Sequence, residues 1–458
     1  MAMSRASYIT IPTGKYLDDE QSDRDNEIGD DGKKLVLATP MRPLQISSGV
    51  DGLMESRENI FLSFGYMLAM GVCGIVLVAL GSTLESLAEN INKTSTEIGT
   101  IFVARGVGAV TGAMVSAKLY KWFTGNRVMF AGLVFVSIIL LRMPFVRSYV
   151  VMHLFFFSLG LGTAVIDTGC QIMTRKIHGK LAGPWLGANT VSFGISGAFV
   201  PLIELFTNSL IIQFFAIFGI VFIVALLIGL GPNPERDGRL LSGPPKKANG
   251  EEYVIPHYRV EFVIGIMVFF LIGGKVTITA YLSAYVNQTN IIDQSYETYL
   301  VLTLWVSIAL GRVAGVTDQR FLTNKSLPIH LSIFCFGGSL SILLILCLPK
   351  SSEVLWIGIA FYGLFNGPCV GYCYDLNNRM THPSEISMSI VMFGLNSGAS
   401  LLPYVTSSIW YDGGGPRTLM IMTFLSMLIP LPILHISKYL SYDSSINPLI
   451  RSTYTSIA

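Results

Sequence analysis

Apolar stretches of about 20 residues recur along this chain, separated by short polar breaks. That is the length a helix needs to cross the hydrocarbon core of a bilayer, at about 1.5 Å of rise per residue. The composition agrees: 51% of the 458 residues are hydrophobic and 13% are charged. Inside lipid every backbone polar group needs a partner within its own segment, so continuous apolar stretches must be helices. The twelve spans fall at 60–83, 97–121, 127–146, 149–175, 185–207, 210–231, 260–286, 298–321, 327–348, 353–377, 386–410 and 417–437. The chain reads as an all-α membrane protein with twelve transmembrane helices.

Polar segments divide it. Residues 1–57 carry an acidic cluster, Asp18, Asp19, Glu20, Asp23, Asp25, Glu27, Asp30 and Asp31, and read as a disordered tail. Residues 58–231 form a first half of six spans and 260–440 a second. Between them, 232–259 is a hydrophilic linker rich in Pro, Gly and charge, and 441–458 is a polar tail. The first span is expected to act as its own signal anchor, because no signal peptide precedes it.

Lysine and arginine set the orientation. Loops after even-numbered spans hold Lys121 and Arg127, then Arg175, Lys176 and Lys180, then Arg236, Arg239, Lys246 and Lys247. Both tails and the linker are therefore expected to be cytoplasmic. Two glycosylation sequons, at Asn92 and Asn287, fall on the opposite side.

The halves repeat. FGISGAFVP at 193–201 in span 5 parallels FGLNSGASLLP at 393–403 in span 11, and the sequons follow spans 1 and 7. A duplicated chain of this kind points to a transporter with its site at the repeat interface near the midplane.

Other functions lose support. A net charge of +2 gives no case for nucleic acid. All six cysteines lie in apolar segments with neither disulfide nor metal spacing. No phosphate loop, nucleophile elbow or catalytic carboxylate pair is visible, so neither an enzyme nor a cofactor is expected. The Gly-rich stretches around Gly106, Gly108 and Gly112 suit close helix packing.

One acid stands out. Asp167 lies mid-span in 158–176, among Gly160, Gly162, Thr163, Ala164, Thr168 and Gly169. An acid at a helix centre in lipid costs at least roughly 2.5–3.5 kcal/mol, so it should face a partner or a watery cavity. Gly160, Thr163, Ala164, Asp167, Cys170, Gln171 and Thr174 share one small, polar face by helical spacing. The alternative is a structural bond between helices.

Twelve spans, a cytoplasmic linker and a charged turn after spans 2 and 8 resemble the major facilitator superfamily, with its two pseudo-symmetric six-helix halves. Gly311, Arg312, Asp318 and Arg320 resemble that family's gating-loop motif. The first-half copy keeps Gly125 and Arg127 but has Lys121 where an Asp is expected. GTAVIDTGCQ at 162–171, LGSTLESLA at 80–88 and FLIGGKVTITAYLSAY at 270–285 resemble the branch of fucose permease and the sodium-dependent glucose transporter. Two departures stand against it: Lys275 sits where an acid is common, and Gly81 stands about where the permease has its span 1 acid.

The resemblance implies a cavity lined by spans 1, 4, 7 and 10. Asp167, Gln171, Lys275, Tyr281, Asn366 and Tyr374 become substrate-site candidates, with Tyr285 and Tyr372 beside them. Amides and phenols supply the donors and acceptors that sugar hydroxyls need. Opposite charges on two lining helices suggest an Asp167–Lys275 pair; the alternative is that Lys275 reaches an interface. Asn189 and Asn396 are second-tier candidates, Asp375 and Arg379 suit a cytoplasmic gate, and Arg105 is expected to neutralise Glu85 or Glu89.

The expected function is a carrier in the bilayer moving a small polar solute, of hexose type, by alternating access, with proton or sodium coupling left open. Two alternatives stand beside it: another solute, such as a peptide, amino acid or organic ion, or a non-transporting receptor or trafficking scaffold. Tyr8-Ile-Thr-Ile11 and Tyr454-Thr-Ser-Ile457 resemble sorting signals read by clathrin adaptors. They favour endosomal or lysosomal membranes beside the plasma membrane.

Overall fold

The computed structural model describes residues 49–178, 182–207, 209–232, 259–319, 321–322, 326–380 and 385–435. The sorting signals at Tyr8 and Tyr454, most of the linker, the C-terminal tail and Arg320 lie outside the described residues. Among those described there is no strand, and twelve long helices follow the twelve spans in order. They are α1 (Gly49–Ser82), α2 (Thr100–Trp122), α3 (Gly125–Arg142), α4 (Tyr149–His178), α5 (Ala182–Phe206) and α6 (Leu210–Leu230). The second set is α7 (Arg259–Thr289), α8 (Glu297–Gln319), α9 (Leu327–Cys347), α10 (Ser352–Met380), α11 (Glu385–Ile409) and α12 (Arg417–Leu428).

Eleven of these segments are apolar and long enough to cross a membrane. The other, α11, is of similar length and carries Asn396, Ser397, Ser400, Thr406 and Ser407 among its apolar residues. Those residues suit its place, because α11 packs on α7 and α2 inside the bundle. Large apolar side chains such as Val150, Leu154, Phe206, Ile223, Leu230 and Phe336 are exposed on outward faces. A bilayer covers such a surface; water would not.

Lipid tails are as apolar as leucine, so close backbone approach must help to hold the helices together. Glycine supplies it in matching places in the two halves. In the first, α2 lies on α4, with the Phe157 backbone where a Cβ on Gly108 would stand, and the Arg105 backbone likewise against Gly160. In the second, α8 lies on α10, with Gly311 against the Leu364 carbonyl and Gly367 against that of Ile308. The match continues with α1 on α5, through Gly74 and Phe193, and α7 on α11, through Gly265 and Gly394. Pro201 in α5 and Pro403 in α11 occupy equivalent helix interiors.

The described residues from Asp51 onward form one compact unit. Within it the halves meet along two seams, α2 with α11 and α5 with α8. Gly99 and Gly106 admit Ser407 and Ser400 at the first seam, and Gly194 and Gly197 admit Arg312 and Trp305 at the second.

Candidate functional site

Between the seams lies a cavity of about 410 Å³, within the range of small-molecule sites. The expected helices α1, α4, α7 and α10 line it, and so do α2, α5, α8 and α11. It reaches exposed Arg175 and Pro184, at the end that carries the Lys- and Arg-rich loops. The opposite end is shut. There Tyr281 of α7 meets Phe102 of α2 at 6.0 Å and Trp410 at 6.2 Å between ring centroids. Trp410 donates its indole N–H to Gln288 at 2.9 Å. Asn287 donates to the Glu85 carboxylate at 2.8 Å, joining the two halves. Burial, and next the Glu297 carboxylate, push the Glu85 carboxyl above its ordinary value, while the Asn287 amide pulls it down.

Asp167 and Gln171 stand one turn apart on α4, and both face the cavity. The Gln171 amide donates to Asp167 Oδ1 at 3.2 Å. Thr163 and Ala164 complete this small-sided face; Cys170 and Thr174 turn away into protein. Cys170 donates to the Tyr66 carbonyl at 3.4 Å, and Thr174 accepts from Asn189 at 3.1 Å.

Lys275 also lines the cavity, near the middle of the 31-residue helix α7. It does not pair with Asp167: among the described residues it gives that carboxylate no bond, and its Nζ lies 5.8 Å from the Phe193 ring centroid. Arg312 of α8 packs on the same ring at 4.8 Å and donates through Nη1 to the Thr190 carbonyl at 2.5 Å. Arg312, read as part of a gate, is thus buried against α5, on the cavity wall. Asp318, from the same motif, accepts from Tyr372 at 2.8 Å instead. Arg127 is exposed at the start of α3.

Of the remaining candidates, Tyr374 lines the cavity and donates to Met392 Sδ at 3.7 Å. Tyr281 and Asn366 do not line it. Tyr281 belongs to the aromatic closure, and Asn366 is fully buried, donating to the Leu271 carbonyl at 3.2 Å and to Met427 Sδ at 3.3 Å. Arg105 is a further correction: it makes no bond to Glu85 or Glu89 among the described residues and lines the cavity near Cys73. The signal for it was an arginine inside an apolar, glycine-rich span. Asn189, Asn396 and Asp375 line the cavity as well. Asn92 is exposed in a turn with φ of +57°, a conformation asparagine tolerates.

The arrangement is two helical bundles related by repeat around a cavity lined by apolar and charged side chains. The sequence signature described as Major Facilitator Superfamily matches residues 62–403. The chain belongs to this superfamily. As a major facilitator protein it is a membrane carrier for small solutes, and not an enzyme. It is 21% identical over 325 residues to sodium-dependent glucose transporter 1A of Mus musculus, covering 63% of this chain and 76% of the relative. It is 24% identical over 330 residues to the glucose/mannose transporter GlcP of Bacillus subtilis, covering 66% and 77%. The crystal structure of a D-xylose-proton symporter superposes with a TM-score of 0.63 at 13% identity, over 81% of this chain and 97% of that one, and so supports the major facilitator fold.

Proposed function

We propose that this carrier moves a hexose-type sugar by alternating access about the central cavity. The observation that carries the reading is the Asp167–Gln171 pair on the cavity wall, joined at 3.2 Å. A carboxylate that accepts and an amide that does both can hold vicinal hydroxyls. Tyr374 supplies an aromatic ring to the apolar side of a sugar. Two relatives, named for glucose and for glucose and mannose, support the same substrate class. Asp167 is the principal polar contact, and it is also the group through which a proton or sodium ion would couple.

The Lys- and Arg-rich end is the cytoplasmic one in this reading, with both tails and the linker inside. The cavity then opens to the cytoplasm, and the Glu85–Asn287 bond with the Phe102–Tyr281–Trp410 cluster forms the outer gate. Asp318, Arg320 and Arg127 steady the inner gate. Asn92 carries a glycan; Asn287 is a weaker acceptor, because its amide is bound to Glu85. The tyrosine signals at Tyr8 and Tyr454 bind clathrin adaptors and direct the carrier to endosomal or lysosomal membranes as well as the plasma membrane.

The test is uptake by the full-length protein in liposomes, with a panel of hexoses, pentoses, amino acids and peptides, across pH and sodium. Saturable hexose uptake supports the reading. Uptake of amino acids or peptides without any sugar rejects it.

A further inference from the structure

More basic than acidic side chains line the cavity. Arg105, Arg175, Lys275 and Arg312 line it, against Asp167 and Asp375. Two of these cations are concentrated at one place. Lys275 is 1% exposed and Arg312 is 8% exposed, and both lie within 6 Å of the centre of the Phe193 ring. Among the described residues the Lys275 ammonium has neither a carboxylate nor a carbonyl to donate to. Arg312 spends one N–H on the Thr190 carbonyl, and its buried Nε has no partner. Arg105 Nε, buried on the first-half side, has none either.

Buried like charges without an anion are costly, and the ring's π-face answers only part of that cost. Hydroxyl dipoles answer little more. A carboxylate would neutralise the cluster and fill the free donors, since a guanidinium and an ammonium both form short, charge-assisted bonds to it. We propose that the transported sugar bears a carboxylate, as a hexuronate does, and that Lys275 and Arg312 bind it. This rests on the sugar reading above and adds the charge to it. The orientation follows: the carboxylate lies toward α7 and α8, and the hydroxyls lie toward Asp167 and Gln171. The reverse pose would set two carboxylates against each other.

The experiment is uptake of labelled D-glucuronate and D-glucose by the full-length protein in liposomes, with glucuronate methyl ester as an uncharged competitor. Wild type is expected to take up glucuronate at least tenfold faster than glucose at equal concentration. Free glucuronate should compete and the ester should not. Lys275→Gln should lower the glucuronate-to-glucose ratio at least tenfold, while Lys275→Arg keeps it. Should Lys275→Gln not fold, the thermal unfolding of wild type still reports, since glucuronate should raise the midpoint and the ester should not. Glucose uptake that equals or exceeds glucuronate uptake overturns the charge assignment and leaves the sugar reading standing. Uptake of neither overturns both.

Discussion

The two walls of the cavity differ in how they meet their charge. On α4 the carboxylate of Asp167 comes with a partner one turn away, Gln171, at 3.2 Å. On α7 and α8 the basic groups of Lys275 and Arg312 share an aromatic ring and, among the described residues, no carboxylate. The repeat gives the halves the same helix packing, so the fold does not impose the contrast. A site that satisfies its acid from within and leaves its cations waiting is built for a solute with polar hydroxyls at one end and negative charge at the other.

Four measurements test that contrast. Asp167→Asn should cut sugar uptake in liposomes the most. Hydrogen bonds to a charged group contribute about 1.5–3 kcal/mol, which corresponds to roughly 10–100-fold. An unchanged rate would remove the first-half wall from the site. Lys275→Met should act on stability in the opposite direction. It removes a buried amine that has no carboxylate partner among the described residues, so the detergent-solubilised protein should gain on the order of 1–4 kcal/mol, read as a higher thermal unfolding midpoint. Asp167→Asn keeps a bond to Gln171 and should move that midpoint little; a fall for Lys275→Met would mean that the lysine is already compensated.

Gln171→Leu leaves the acid without its amide. A net contribution of about 0.5–1.5 kcal/mol predicts a slowing of uptake by roughly two- to tenfold, less than for Asp167→Asn. Equal losses would mean that the two act as one unit. The smallest effect belongs to Tyr281→Phe. Its hydroxyl lies beside Ser407 and off the cavity, so uptake should stay within about twofold of wild type by initial rate. A large loss would put Tyr281 back in the site.

The fold was legible for a physical reason. Span length and hydropathy are local properties, and a bilayer demands them segment by segment. The glycines that seat α2 on α4 and α8 on α10 stand out in the sequence too. The site was legible in part. Asp167, Gln171, Lys275 and Tyr374 reach the cavity, because a charge or its neighbour at bilayer depth has few other places to go. Tyr281 misses it: six residues beyond Lys275 on a helix is a rotation of about 240°, toward α2 and away from the cavity. Asn366 misses it by less, one position before the lining residues Gly367 and Pro368.

The arginines mark the limit. The order of residues suggested that Arg105 answers Glu85 or Glu89 and that Arg312 belongs to a loop motif. Residue order is enough to bury these charges in spans and to give the membrane, the helices and the two halves. Which groups the charges meet follows from how the helices pack. The rotation of each helix is set by close contacts such as Gly160 on the Arg105 backbone and Gly194 beside Arg312, and these join residues far apart in the chain. Whether two charges on different helices face each other depends on those rotations, which no single span encodes.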